Sequence, residues 1–217
     1  MAAAPRSTDG RSSGNRTSWW WRRSYRTRLS LSITAIILGL VIIAIPFEPW
    51  IVYHAFSPAP VYPYPTKLSG TPYLPILPDT KTATIPQDNR LVIPKIGVDN
   101  EIVDGADERA LWRGIWRYPA SSTPDRGGNT VLTGHRFQYL AGPRTLYLLD
   151  QVNVGDIIMV YWKGAEYDYT VRERKVVNPD EVSILDNTPD AQLTIYTCTP
   201  LFTTKQRLVL IADLLTT

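Results

Sequence analysis

Cys198 is the only cysteine in a chain of 217 residues, and Arg207 follows it nine positions later. A thiol becomes a strong nucleophile once deprotonated. A guanidinium keeps its proton in proteins, so a neighbouring arginine favours the thiolate and can bind an oxyanion forming on a carbonyl. Both residues lie in the run Leu193 to Asp213, LTIYTCTPLFTTKQRLVLIAD. Leu193 to Thr197 and Arg207 to Ala212 are aliphatic, β-branched or aromatic for the most part, which suits strands. Between them, Pro200 lacks the N–H that a central strand needs, and Thr203 to Gln206 suits a turn. An antiparallel pair is the simplest arrangement. Alternation then puts Leu193, Ile195 and Thr197 on one face with Leu208, Leu210 and Ala212. Thr194, Tyr196 and Cys198 share the other face with Arg207. A buried inert cysteine beside an ordinary surface arginine fits the same pattern, so the pair alone does not define a site.

His135 supplies the third group. It follows the strand-like run Asn129 to Thr133 and sits in Gly134-His135-Arg136, a turn at a strand end, where catalytic groups tend to be held. The other histidine, His54, has no acid or cysteine near it in the sequence and is read as incidental. A lone cysteine, a histidine and an arginine together make a thiol acyl-transfer set of nucleophile, proton shuttle and oxyanion partner.

The elements that must position this set begin near Asn89. Leu91 to Pro94 and Val98 to Val103 read as strands around the turn Lys95-Ile96-Gly97, and Glu108 to Trp112 as one helical turn. Ser121 to Gly128 is a loop, and Arg144 to Leu149 suits a short helical segment. Strands at Asp156 to Trp162 and Glu166 to Val177 are joined through Lys163-Gly164-Ala165 as a tight hairpin. Many short strands, little helix and no β-α alternation predict a mainly β fold, a closed or nearly closed barrel.

Charge excludes several function classes. Seven arginines and one acid lie in residues 1–28, for a net +6, so the remaining 16 basic and 19 acidic residues leave the rest at −3. The high pI therefore belongs to the N-terminal tail. No basic stripe, zinc-type spacing or glycine-rich phosphate loop follows, so nucleic acid is not an expected partner and no cofactor or metal is implied.

Residues 1–28 read as a basic tail ending in Trp19-Trp20-Trp21 among arginines, a composition suited to a bilayer headgroup zone. Leu29 to Phe47 is uncharged over 19 residues. As a helix it would be roughly 29 Å long, close to the ~30 Å hydrocarbon core. A cleaved signal peptide is the rival, but the run exceeds the usual apolar length and Pro46 to Trp50 offers no small-x-small cleavage pattern. We read residues 29–47 as an uncleaved single-pass anchor with the N-terminus cytoplasmic, by the positive-inside rule, and everything beyond it extracellular. Residues 48–88 follow as a proline-rich stalk: ten of the eighteen prolines fall between Pro46 and Pro86, which favours extended chain. The catalytic domain is residues 89–217.

These residues resemble the sortase family. Thr194-Ile195-Tyr196-Thr197-Cys198 is similar to its T-L-x-T-C signature, with Ile195 in place of Leu, and Arg207 matches the arginine that opens the next strand. Gly128 to Arg136 resembles its G-N-x-x-x-x-G-H-R segment, and Leu146 to Asp156 its L-x-x-L-x-x-G-D segment. The resemblance implies an eight-stranded sortase β-barrel and cysteine transpeptidase chemistry on a Gram-positive-type surface. Cys198 would attack the Thr–Gly bond of an LPxTG-like or LAxTG-like signal at the C-terminus of a secreted protein. His135 would protonate the leaving amine, and Arg207 would hold substrate or oxyanion. The acyl group would pass to an amine such as a peptidoglycan precursor or a pilin lysine. The resemblance also offers Thr197 as a hydroxyl donor to the tetrahedral intermediate. Cys198-Thr199-Pro200 and the Thr133 to Arg136 segment look most like the housekeeping type, class E. An L,D-transpeptidase would need an S-x-G-C-x-R-type segment, whereas Tyr196-Thr197 precedes this cysteine. A non-catalytic wall-binding β-domain is the remaining alternative.

Overall fold

The computed structural model describes residues 17–56, 85–138 and 145–215, with side chains from residue 28 onward. It forms two units, Met1–Ile45 and Pro46–Thr217. The first contains helix α1, Thr17–Ala44. The apolar stretch Arg28–Phe56 is long and apolar enough to cross a membrane, and none of its most apolar window is buried inside the protein.

The second unit opens with a short helix α2, Glu48–Phe56, where the prolines predict extended chain. The reason is positional. Glu48 and Pro49 occupy the first turn, where an acid suits the helix dipole and a missing N–H breaks no bond. The denser prolines of the expected stalk, and the expected tail up to residue 16, lie outside the described residues. His54 on α2 stacks on Trp50 with ring centroids 4.4 Å apart, and its Nδ1 is 2.9 Å from the Trp50 carbonyl.

Eight strands follow: β1 Arg90–Ile93, β2 Val98–Val103, β3 Ile115–Arg117, β4 Asn129–Thr133, β5 Ile157–Trp162, β6 Ala165–Val177, β7 Gln192–Thr199 and β8 Gln206–Leu214. They close into a barrel in the order β1-β2-β3-β4-β7-β8-β6-β5. Closure removes the exposed edges that an open sheet would present. Two of the pairings are parallel, β2 with β3 and β4 with β7. The β5–β6 hairpin turns on Lys163 and Gly164, both with positive φ (52° and 74°), the two-residue geometry whose twist matches that of the strands.

Leu193 and Ile195 of β7 and Leu208, Leu210 and Ala212 of β8 point into the barrel, where they meet Leu91, Leu132 and Ile158. The alternation expected for this pair therefore holds. The opposite face of β8 is also covered: Val209 and Ile211 pack against Ile184 and Leu185 of a 3-10 turn, Val182–Leu185. Strand β3 is an element that the sequence reading does not contain. The helical segment expected at Arg144 to Leu149 is instead a 3-10 turn, Leu149–Gln151, with residue 144 outside the described residues.

Candidate active site

Strand β7 is the hinge of the site because it pairs on both sides. On one side it runs antiparallel to β8, and the register sets Cys198 directly opposite Arg207. On the other it runs parallel to β4, with Thr133 opposite Tyr196. The parallel pairing carries the end of β4, and His135 just beyond it, to the same end of the barrel as Cys198.

Three polar contacts lock that junction. The Thr133 hydroxyl donates to the Tyr196 carbonyl at 2.9 Å, and the Thr197 hydroxyl to the Gly134 carbonyl at 2.7 Å. Leu146 N–H donates to the His135 carbonyl at 2.9 Å. Gly134 is small for a reason, since a Cβ there would lie 2.8 Å from Ile115 Cδ1 and 3.2 Å from Leu146 Cδ1. The histidine segment thus rests directly on the core. Thr197 is 1% exposed and its hydroxyl is committed to Gly134, so its place in the fold is that of a tie between the Cys and His segments.

Asn129, at the start of β4, organises one wall. Its Nδ2 donates to the carbonyls of Ile184 (3.2 Å) and Asp186 (2.9 Å), and its Oδ1 accepts from the Thr194 hydroxyl at 2.8 Å. The Val182–Leu185 turn is thereby pinned over the outer face of β7 and β8. The facing wall is the 3-10 turn Glu108–Trp112, capped by Asp107, whose carboxylate accepts from Arg109 N–H at 3.0 Å. Between the walls lies a groove of about 370 Å³ whose lining includes Cys198, His135, Arg207 and Tyr196.

Cys198 is a free, half-buried thiol. Burial pushes the His135 pKa below its ordinary 6.5, so the imidazole is neutral at pH 7 and able to accept a proton. The Trp112 ring sits 4.9 Å from it, centroid to centroid. Arg207 Nη1 donates to the carbonyls of Thr204 (3.0 Å) and Gln206 (3.1 Å), which fixes the guanidinium at the groove end. Burial raises the Tyr196 pKa and keeps its phenol protonated. A thiol, a neutral imidazole and a guanidinium therefore line one concave surface, residue types suited to acyl transfer through sulfur.

Sequence reasoning names Cys198, His135, Arg207 and Thr197, and the structure brings all four to one end of β4, β7 and β8. It misses the Val182–Leu185 wall, the Trp112 contact with His135 and the burial of Arg136. The wall carried a signal in Asn129, a strand-start amide with donors to place. Trp112 carried none beyond its size.

Residues 91–215 match the Sortase family, described as a sortase domain. Sortase D of Bacillus subtilis is 32% identical over 111 residues, covering 51% of this chain and 53% of that protein. Sortase A of Listeria monocytogenes is 30% identical over 127 residues, covering 57% of this chain and 54% of the other. The chain spans about half the length of the curated relatives it matches. Among solved structures, Streptococcus agalactiae sortase C1 in complex with MTSET aligns with a TM-score of 0.55 at 31% identity, over 60% of this chain and 70% of that one. Sortase C-1 of Actinomyces oris aligns with a TM-score of 0.55 at 31% identity, over 61% and 77%.

Proposed function

The chain belongs to the sortase family, and on that premise we propose that it is a membrane-anchored cysteine transpeptidase of the outer cell surface. The observation that carries this reading is the direct pairing of Cys198 with Arg207 across β7 and β8, in a groove that His135 also lines.

The chemistry follows from the charge states. Neutral His135 takes the Cys198 proton, and the sulfur adds to the carbonyl carbon of the scissile Thr–Gly bond in an LPxTG-like or LAxTG-like sorting signal. Arg207 faces the oxygen that becomes negative. As the C–N bond breaks, the imidazolium returns its proton to the leaving glycine amine, leaving a thioester on Cys198. An amine of a peptidoglycan precursor or a pilin then attacks the thioester. His135 accepts the proton from that amine and hands it back to the sulfur, so the enzyme ends as it began.

The architecture is divided to match: a basic cytoplasmic tail to residue 28, an anchor over 29–47, a spacer to residue 88 and the catalytic barrel over 89–217. The arginines of the tail support this orientation. Cys198-Thr199-Pro200 and the Thr133 to Arg136 segment support a housekeeping type most like class E, and a peptide panel comparing LAxTG with LPxTG signals tests it. The overall reading is tested with the full-length protein in detergent, a fluorogenic sorting-signal peptide and an added amine. Cleavage with amine incorporation is expected, and at least a thousandfold loss in Cys198→Ala. Cleavage that survives the substitution sinks the mechanism.

A further inference from the structure

We infer that the loop between β7 and β8 rests on the lipid surface through Phe202, clipped there by Phe47 at the end of the apolar stretch. The inference rests on the reading of residues 29–47 as a membrane anchor and adds a second lipid contact, made by the barrel itself.

Three ring contacts carry it. The Phe47 ring meets that of Phe202 edge-on with centroids 5.6 Å apart, and Phe202 meets Phe137 in the same manner at 4.7 Å. Phe137 in turn lies 6.3 Å from the ring of Tyr147, a buried residue. All four belong to the unit that holds the barrel. Edge-to-face pairs are the favoured geometry for aromatic rings and add to what their burial alone contributes. Phe202 stands four residues past Cys198 and Phe137 two past His135. The row of rings therefore ties the chain beside the anchor to both loops that adjoin the site.

Length sets the depth. The apolar stretch Arg28–Phe56 has 29 residues, roughly 44 Å as helix against a hydrocarbon core of ~30 Å. The surplus is about nine residues, which is the length of α2. The helix is interrupted by the 3-10 turn Ile45–Phe47 and resumes at the acid Glu48, so the surplus falls on this side of the turn. Phe47 thus marks the edge of the hydrocarbon, and whatever touches it lies at headgroup level. Phe202 touches it.

The surface suits that position. Phe202 remains 50% exposed in spite of its two ring contacts, and its φ of 65° is a left-handed conformation that bulky side chains rarely adopt. Lys205, also exposed, follows three residues on. No residue of α2 is buried, and it leaves Trp50, Ile51, Val52 and Phe56 exposed. Aromatic rings with a nearby lysine are what the headgroup zone favours. Lipid is the occupant because the covalent chain at Phe47 brings it to this surface, whereas a protein partner would have to be recruited.

Cys198→Ala removes the only thiol, after which Lys205→Cys or Asp213→Cys gives one position for a nitrobenzoxadiazole label in the full-length chain. Asp213 is exposed on the same strand, roughly 20 Å from Arg207 at ~3.4 Å per residue. The chain is reconstituted in phosphatidylcholine–phosphatidylglycerol vesicles carrying a headgroup spin label. Quenching at position 205 should exceed that at 213 by about twofold or more. Adding Phe202→Asp should bring it down to the level seen at 213. Equal quenching at the two positions in a chain that floats with the vesicles overturns the proposal, as does a strong signal at 205 that survives Phe202→Asp. The comparison of 205 with 213 needs no change at Phe202, so it decides the matter even where that variant does not fold. A chain that fails to float with the vesicles refutes the anchor reading and the proposal with it.

Discussion

The stretch Arg28–Phe56 and the barrel use the same kinds of side chain to opposite ends. Leu31, Ile36 and Leu40 of α1 are 69%, 61% and 61% exposed, whereas Ile158, Leu193 and Ile195 in the barrel are 0% exposed. The difference lies in pattern. The barrel strands alternate, so each offers one apolar face that the other strands can cover. The helix is apolar all round and its apolar side chains are exposed among the described residues, so it is a candidate membrane span. One region takes its fold from burial within the chain; the other has the length and composition of a membrane span.

The largest test of this contrast is the double variant Ile36→Arg/Ile37→Arg. Each arginine costs about 2.5–3.5 kcal/mol at a helix centre on insertion. Membrane fractionation should find the chain released, with barrel melting unchanged. Retention in the membrane pellet would break the comparison. Next is Leu210→Ala inside the barrel, expected to cost roughly 2–5 kcal/mol in a denaturant titration because it leaves a cavity among close-packed side chains. Thr197→Val keeps shape but strands the buried Gly134 carbonyl, at about 1–3 kcal/mol. It should lower kcat more than it changes KM, since the tie positions His135 and Cys198 relative to one another. An effect confined to KM would argue against that role.

Smaller effects come from titration. The folded His135 pKa lies below 6.5 through burial, so the unfolded chain takes the proton first. Its contribution to stability is present above pH 6.5 and is lost as pH falls through the folded value, and peptide cleavage should fall along the same limb. Trp112, 4.9 Å away, makes this visible as a fluorescence change that disappears in Trp112→Phe. Smallest is the Asp125–Lys163 pair at 2.8 Å, neither residue of which lines the groove. Its hydrogen bond to Lys163 lowers the Asp125 pKa to about 2. That contribution is present above the ordinary carboxylate value of 3.8 and is lost as pH falls through about 2. Asp125→Asn should flatten this acid limb of a stability–pH curve and leave the groove untouched.

Much of the site was legible because its key relation is local. Cys198 and Arg207 are joined by one short turn, so period-2 alternation suffices to place them on one face, and the ladder pairs them directly. The β5–β6 hairpin was legible for the same reason, through Lys163-Gly164. Strand β3 was not, since three residues, Ile115 to Arg117, carry too little pattern, and its pairing with β2 is parallel. Helix α2 was hidden by Pro46 and Pro49, which read as breakers, whereas Pro46 lies in a 3-10 turn, Ile45–Phe47, and Pro49 in the first turn of α2.

By itself, then, the sequence determined the alternating barrel strands, the uncharged membrane-length helix, the lone thiol and its arginine across a hairpin. Only the tertiary structure decided that His135 joins them. The parallel β4–β7 pairing that does so sets Thr133 opposite Tyr196, far apart in the chain, and no turn between them fixes a register. Its register is chosen by how the whole core packs. The same packing buries Arg136 and lays the Val182–Leu185 wall over β8. Local periodicity reports which way a side chain points, and only closure of the barrel determines what it points at.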